Sequence, residues 1–394
     1  MSLISYSKMS TTATQEYFES LHKKLQGDLD YNYLSLTDIR FADNSAQHLI
    51  KLLSDNPCIN ILALRENKLG SKNTSFISQF TQEAKTINTL VISDNALRAR
   101  GTKALCGALA SAPHLRCVRL SDNFITGVGM RHIGEMLSHN KSLFHLGLDG
   151  NTLSMEGIYN ITDGLKTNGA LKELCLQRTG LTNDLASVLF VGLSYNRTLE
   201  DLDLGENLLG PDVVTLANRL TISHPRLKRI TLSKNSLGMD GAKRLACMIK
   251  YSPKLRELRL YDCDIGSDGV RHILLALRQN KTITSLDVHG NGAPVPVYCL
   301  SEMLETNNHL QEIYLSITHL DVESAPRLGE AAWRNSAIVA INTEVLLGSM
   351  VSRATERNKF NHEARKRSLA HIAFDVYEQD IVTEEPGNKK KRTV

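Results

Sequence analysis

The sequence predicts an α/β solenoid: a horseshoe with a concave parallel β-sheet inside and α-helices on the convex side. Three observations carry this. The spacing of Leu199, Leu202, Leu204, Asn207 and Leu209 returns every 28 residues along most of the chain. Within each period the apolar residues first alternate, as in a strand, and then recur at i, i+4, as on one helix face. Gly, Asn or Pro punctuates both ends of each helical stretch. A fixed period of this length is the mark of a repeat array.

Composition agrees. A globular chain of 394 residues would suggest two or three domains, but the repeat overrides that expectation. Net charge is +4, so no strong electrostatic partner follows for the chain as a whole, and neither a nucleic acid nor a membrane span is expected. Seven cysteines, odd in number and without a C-x-x-C pair, fit a reducing intracellular compartment. The first fifteen residues hold no apolar core of a signal peptide.

In chain order, residues 1–30 are expected to form an N-terminal helical cap, a polar leader followed by a helix from Thr12 to Gln26. Thr12 with Gln15 fits a capping box and Gly27 a stop. Tyr17, Leu21 and Leu25 make one apolar stripe, which would cover the first strand edge. The solenoid occupies residues 31–345. Its units start at Tyr31, Ile59, Ile87, Leu115, Leu143, Leu171, Leu199, Leu227, Leu255, Ile283, Leu310 and Ile338, the first and last being worn.

Each unit opens with a short strand such as Leu143–Leu148, with Leu146 and Leu148 inward and Gly147 outward. An Asn ladder closes it: Asn67, Asn95, Asn123, Asn151, Thr179, Asn207, Asn235, Cys263, Asn291 and Thr318. The rungs at 179, 263 and 318 are expected to be looser, because Thr and Cys offer fewer hydrogen bonds than Asn. Helices follow, entered near Gly101, Gly129, Gly157, Gly241 and Gly269. Leu105/Leu109, Ile133/Leu137, Ile161/Leu165, Leu189/Leu193, Leu245/Ile249 and Ile273/Leu277 face the core. Asn140, Asn168, Asn196, Asn280 and Asn307, or Pro113, Pro225 and Pro253, end them. Parallel strands stack about 4.8 Å apart whereas packed helices need roughly 8–10 Å, so the helical side fans outward and the sheet lies inside the bend.

The pattern L-x-x-L-x-L-x-x-N-x-L in uniform 28-residue units of strand and helix resembles the ribonuclease-inhibitor type of leucine-rich repeat. Ribonuclease inhibitors alternate two repeat lengths and are rich in cysteine, which this chain is not. Ran GTPase-activating proteins share the repeat type. The chain is also similar to leucine-rich-repeat effectors that intracellular bacteria such as Legionella inject into host cells. Asn196-Arg-Thr-Leu199 matches their Asn-x-x-Leu step and Arg357-Asn358-Lys359 their Arg-Asn-Lys step.

After Asn291 the array weakens. Pro294 and Pro296 predict an irregular loop over 292–298, and Ser336–Ile341 a last degenerate strand. Residues 346–380 are expected to form a C-terminal helical cap and 381–394 a disordered basic tail. Lys389–Arg392 could serve nuclear localisation or simply be solvated. Glu378, Asp380, Glu384 and Glu385 resemble the glutamate-rich end of Legionella type IV secretion substrates, which implies delivery into a host cytoplasm.

No phosphate loop, H-E-x-x-H or G-x-S-x-G occurs, so no catalytic residue, cofactor, metal or small-molecule substrate is expected. Tyr261-Asp262-Cys263-Asp264 does not converge on a metal, because Cys263 sits on the ladder. Binding is the expected activity, on the concave face. Residues 28 apart form columns there: Glu173, Asp201, Arg229, Glu257, and Asp203, Thr231, Arg259, Asp287. Glu200, Asp201, Asp203 and Glu206 make an acidic spot. Beside it, Arg259, Tyr261, His289 and Tyr314 are the residue types that dominate hot spots, while Phe144 and His145 form a second, smaller candidate. The expected function is a protein-interaction module, a translocated effector binding a host protein. The alternatives are a regulator of a small GTPase and a scaffold.

Overall fold

The computed structural model describes residues 2–25, 31–41, 44–70, 73–110, 112–292, 295, 297–316, 323–343 and 350–363. Strands and helices alternate throughout. The first elements are β1 (Ser2–Ala13), α1 (Gln15–Leu25), β2 (Tyr31–Phe41), α2 (Ser45–Ser54), β3 (Ile61–Arg65) and α3 (Thr74–Glu83). Then come β4 (Thr89–Val91), α4 (Arg98–Leu109), β5 (Cys117–Arg119), α5 (Gly127–His139), β6 (His145–Gly147) and α6 (Met155–Thr167). The middle holds β7 (Glu173–Cys175), α7 (Asn183–Leu193), β8 (Asp201–Asp203), α8 (Asp212–Ser223), β9 (Arg229–Thr231) and α9 (Gly238–Tyr251). The array runs out through β10 (Glu257–Arg259), α10 (Gly266–Leu277), β11 (Ser285–Asp287), α11 (Val297–Thr306), β12 (Glu312–Tyr314), α12 (Ser324–Arg334) and β13 (Ala340–Asn342). Residues 350–363 are helical again.

The strands form one open 13-stranded sheet in chain order, and every neighbouring pair is parallel. From β2 to β13 the register never slips, so equivalent residues of successive units stand in line, as Leu174, Leu202, Ile230, Leu258 and Leu286 do. These leucines and the i, i+4 helix residues pack into a continuous core between sheet and helices; Leu202, Leu204, Ile161 and Leu245 are fully buried.

The ladder ties the turns together. Asn95 Oδ1 accepts from the backbone N–H of Asn67 (3.0 Å) and Leu69 (3.3 Å), while its Nδ2 donates to Leu64 O (2.6 Å). Each full rung thus ties one coil to the coil before it. At Thr179 the hydroxyl donates to Leu176 O (2.9 Å), and the Asn151 N–H turns back to Leu148 O at 3.3 Å. Thr179→Asn is therefore expected to stabilise the protein by about 1 kcal/mol, read as a higher urea midpoint. An unchanged or lower midpoint would show that the Asn151 N–H gains nothing from a side-chain acceptor there. Cys263 fills its rung better than expected, since its thiol donates to Leu232 O at 3.3 Å. Burial pushes that thiol pKa up to about 12. Thr318 lies outside the described residues.

The helix exits form a second buried ladder that sequence reasoning treated only as stop signals. Asn196 Nδ2 donates to Leu165 O (2.8 Å) and Asn168 O (3.2 Å), and its Oδ1 accepts from the Thr198 and Leu199 N–H groups. This is the physical content of the Asn-x-x-Leu step: Asn caps the helix end and the next strand start together. Asn358, from the Arg-Asn-Lys step, continues the ladder by donating to Asn335 O and Ile338 O, both at 2.9 Å.

His224 occupies one position of this second ladder. Its Nδ1 accepts from the backbone N–H of Arg226 (3.2 Å) and Leu227 (3.0 Å), which requires a neutral ring. Burial, then the nearby Arg197 and Lys254, lower its pKa to about 4. A His with a depressed folded pKa binds its proton in the unfolded chain first. Its contribution is therefore intact above about pH 6.5 and is lost as pH falls towards 4, roughly 2 kcal/mol by pH 5. His224→Asn keeps the acceptor without the titration and is expected to flatten stability between pH 7 and 5. An identical acid profile in parent and variant would refute this.

Three features differ from expectation. Residues read as a polar leader form β1, paired in parallel with β2, because an edge strand at the first repeat offers a ready hydrogen-bonding partner. The first helix is capped by Thr14, whose Oγ1 accepts from Tyr17 N–H at 3.3 Å, and not by Thr12. Its buried stripe is Phe18, Leu21 and Leu25, with Tyr17 half-buried. The helix after Pro296 begins at Val297, inside the span expected as loop. Residues 364–394, including the tail expected at 381–394, lie outside the described residues.

Candidate functional site on the concave sheet

Strand alternation and unslipped register leave a grid of outward side chains on the sheet. Across β8, β9 and β10, Arg229 lies between Asp201 and Glu257, bonding the first through Nη1 and the second through Nε at 2.6 Å. Glu257 in turn takes Arg259, at 2.7 Å from Nε. Burial alone would lower the Arg229 pKa; its hydrogen bonds to the two carboxylates outweigh that and raise it. Burial raises the Asp201 pKa, opposed by Arg229. These four residues form one in-plane ion chain.

The acidic spot is largely matched in the fold. Glu200 sits between Lys228 (2.7 Å) and Lys172 (3.9 Å), and the Lys228 hydrogen bond lowers its pKa. Glu206 pairs with Lys234 at 3.3 Å and occupies a left-handed turn position, φ 52°. Asp203 takes Gln177 Nε2 (2.5 Å) and the Gly205 N–H (2.9 Å). Burial raises its pKa, and the carboxylates of Asp149 and Asp201 push the same way.

Arg259, Tyr261, His289 and Tyr314 come together on three adjacent strand units. Arg259, Asp287 and Tyr314 stand in one row across β10, β11 and β12. One step further on, the Tyr261 and His289 rings stack with centroids 5.4 Å apart and 12° between planes, with Lys234 Nζ 5.9 Å from the tyrosine centroid. Gly290 permits this: a Cβ there would lie 2.9 Å from Tyr261 Cε2. Tyr314 remains 38% exposed, and Arg259 is exposed as well. The patch thus offers two aromatic rings, an imidazole and a guanidinium on a backbone that is already ordered.

Phe144 and His145 form a separate cluster at β6. Arg116 and Lys172 cover Phe144 from the two flanking units, at 5.1 and 5.4 Å from its centroid. His145 Nδ1 meets Glu173 Oε2 at 2.8 Å and its Nε2 accepts from Arg119 Nε at 3.3 Å. Next to it Asp122 reaches Arg178 two units away (3.1 Å), which is possible because Gly150 stands between them; a Cβ there would be 1.9 Å from Asp122 Oδ1. Sequence reasoning missed Arg116, Arg119, Lys172 and Gln177 as partners, although each lies one 28-residue step, or two residues from it, from the side chain it serves.

Among the described residues no group of three or more His, Cys, Asp or Glu is placed to hold a metal ion, and no helix is long and apolar enough to cross a membrane. Cys175 is half-buried beside Asp149, Asp203 and Asp201, and burial first, then those charges, raise its thiol pKa.

A family model described as a leucine-rich repeat matches residues 111–134 and 251–274, two segments five periods apart. Both carry a ladder rung, Asn123 and Cys263, with the strand before it. The fold is that of a leucine-rich-repeat solenoid. A chain of the yeast Rad7–Elc1 complex aligns with a TM-score of 0.55 at 15% identity, over 84% of this chain and 83% of that one; the likeness is one of fold. The Legionella pneumophila leucine-rich-repeat-containing protein LegL7 aligns with a TM-score of 0.46 at 18% identity, over 88% and 96%. No curated protein matches the sequence.

Proposed function

We propose that this solenoid binds a protein partner through the concave patch of β10, β11 and β12, flanked by the ion chain that begins at β8. The carrying observation is the stacked, partly exposed Tyr261–His289 pair beside Arg259 and Tyr314 on a preorganised sheet. Asp203 and Glu206 lie at its acidic margin, and Phe144 with His145 is a secondary contact. The Asn-x-x-Leu and Arg-Asn-Lys steps support the finer reading, a translocated bacterial effector whose partner is a host protein. Affinity capture from host lysate with the parent protein identifies that partner. Tyr261→Ala and Arg259→Ala are then each expected to weaken binding by at least about thirtyfold, roughly 2 kcal/mol, in calorimetry on proteins with unchanged melting. If both variants bind as the parent does, the concave patch is not the site. A translocation reporter fused to the chain tests delivery separately.

A further inference from the structure

The turns that lead from helix to strand all lie on one flank of the solenoid, because every unit runs in the same direction and the register never slips. From the turn before β4 to the turn before β11, these segments carry eleven Lys or Arg and one acidic residue, Glu200. All eleven cations are exposed, whereas Glu200 is half-buried between Lys172 and Lys228. The opposite flank, from the turn after β4 to the turn after β10, holds six acidic residues and two basic ones. The mild net charge of the chain therefore averages two flanks of opposite sign.

Helix ends account for part of this, since cations favour helix C-termini. They place Lys141 and Lys254, but not the strand-side row of Arg116, Lys172, Lys228 and Arg256, which stands at the start of the sheet. The two rows make a band as wide as the flank, from sheet to helices. Two exposed tyrosines, Tyr195 and Tyr251, border it on the helical side.

We propose that this basic flank docks peripherally on an anionic lipid surface, leaving the concave face turned aside and open to its protein partner. A broad band of cations on one flank meets a planar array of headgroups with many charges at once, each adding to the attraction. Bordering tyrosines suit the headgroup level. A single-stranded polynucleotide fits less well: it would follow one row, and the ring nearest that row, Phe144, has cations over its faces in place of a free stacking surface. The acidic flank points the opposite way and sets the orientation.

The test is co-sedimentation of the full chain with phosphatidylcholine vesicles, with and without phosphatidylserine, at about 0.1 M salt, where the Debye length is about 10 Å. The parent is expected to bind only the anionic vesicles. The variant Arg197→Gln/Arg226→Gln/Lys254→Gln/Lys281→Gln avoids Arg116 and Arg256, which donate to Ser142 O and Thr282 O within the fold. With melting unchanged, it is expected to lose about two orders of magnitude in vesicle affinity. Equal binding by parent and variant overturns the proposal. So does failure of the parent to bind anionic vesicles; if it then binds a single-stranded oligonucleotide and the variant does not, the flank belongs to a polynucleotide. Should the quadruple variant melt early, Arg226→Gln/Lys254→Gln decides the same question, with roughly tenfold weaker binding expected.

Discussion

Leu202→Ala is expected to cost about 2–5 kcal/mol and to divide unfolding into two steps. Leu202 is fully buried in the interior strand β8, in line with Leu174 on one side and Ile230 on the other. Removing its side chain leaves a cavity that the fixed 28-residue spacing prevents neighbouring coils from closing. Each coil touches only its neighbours, so the damage stays local. The coils on either side of β8 then lose their coupling and melt apart. Urea titration followed by circular dichroism reads both effects. A loss under 1 kcal/mol with one undivided transition would contradict the register described here.

The period made most of this fold legible. Because strand and helix repeat in every unit, a single well-spelled copy such as Leu199–Leu209 fixes the inward residues of all the others, and Leu202, Ile133 and Leu245 are buried where the pattern puts them. The ends were less legible. A terminal unit has a neighbour on one side only, so its sequence is freed from the pattern, and β1 carries no copy of the ladder to announce it. The concave patch was half legible. Columns of residues 28 apart brought Arg259 next to Asp287, and Asp201 next to Arg229. Which charges would cancel was not visible, because an ion pair depends on side-chain reach; Glu257 bridging Arg229 and Arg259 and Lys228 taking up Glu200 are properties of the folded sheet. The two charged flanks escaped notice for a different reason. Their members are dispersed along the chain, and only the unslipped parallel register gathers them.

Gly164→Val is expected to destabilise the protein by about 3 kcal/mol, an overpacking effect at a contact that has no slack. Gly164 on α6 faces Gly134 on α5 so closely that a Cβ would stand 2.3 Å from Gly134 O. A Cβ on Gly134 would stand 2.2 Å from Asn160 O, and one on Gly192 of α7 2.1 Å from Thr162 Cγ2. At the first two contacts the obstacle is backbone, which cannot rotate away as a side chain can. Glycines therefore let α6 approach α5 on one side and α7 on the other. A valine at 164 must push α6 off α5, and the sheet above must bend more sharply to follow. Gly107 on α4 supplies the control, because a Cβ there meets nothing within 4 Å. Gly107→Ala is expected to stabilise by about 0.5–1 kcal/mol, the ordinary gain of alanine over glycine inside a helix. Thermal or urea unfolding of the two variants should thus move in opposite directions. If Gly164→Val were tolerated as well as Gly107→Ala, the close approach of α5 and α6 would not be what sets the spacing of the convex helices, and the curvature there would have to come from the sheet.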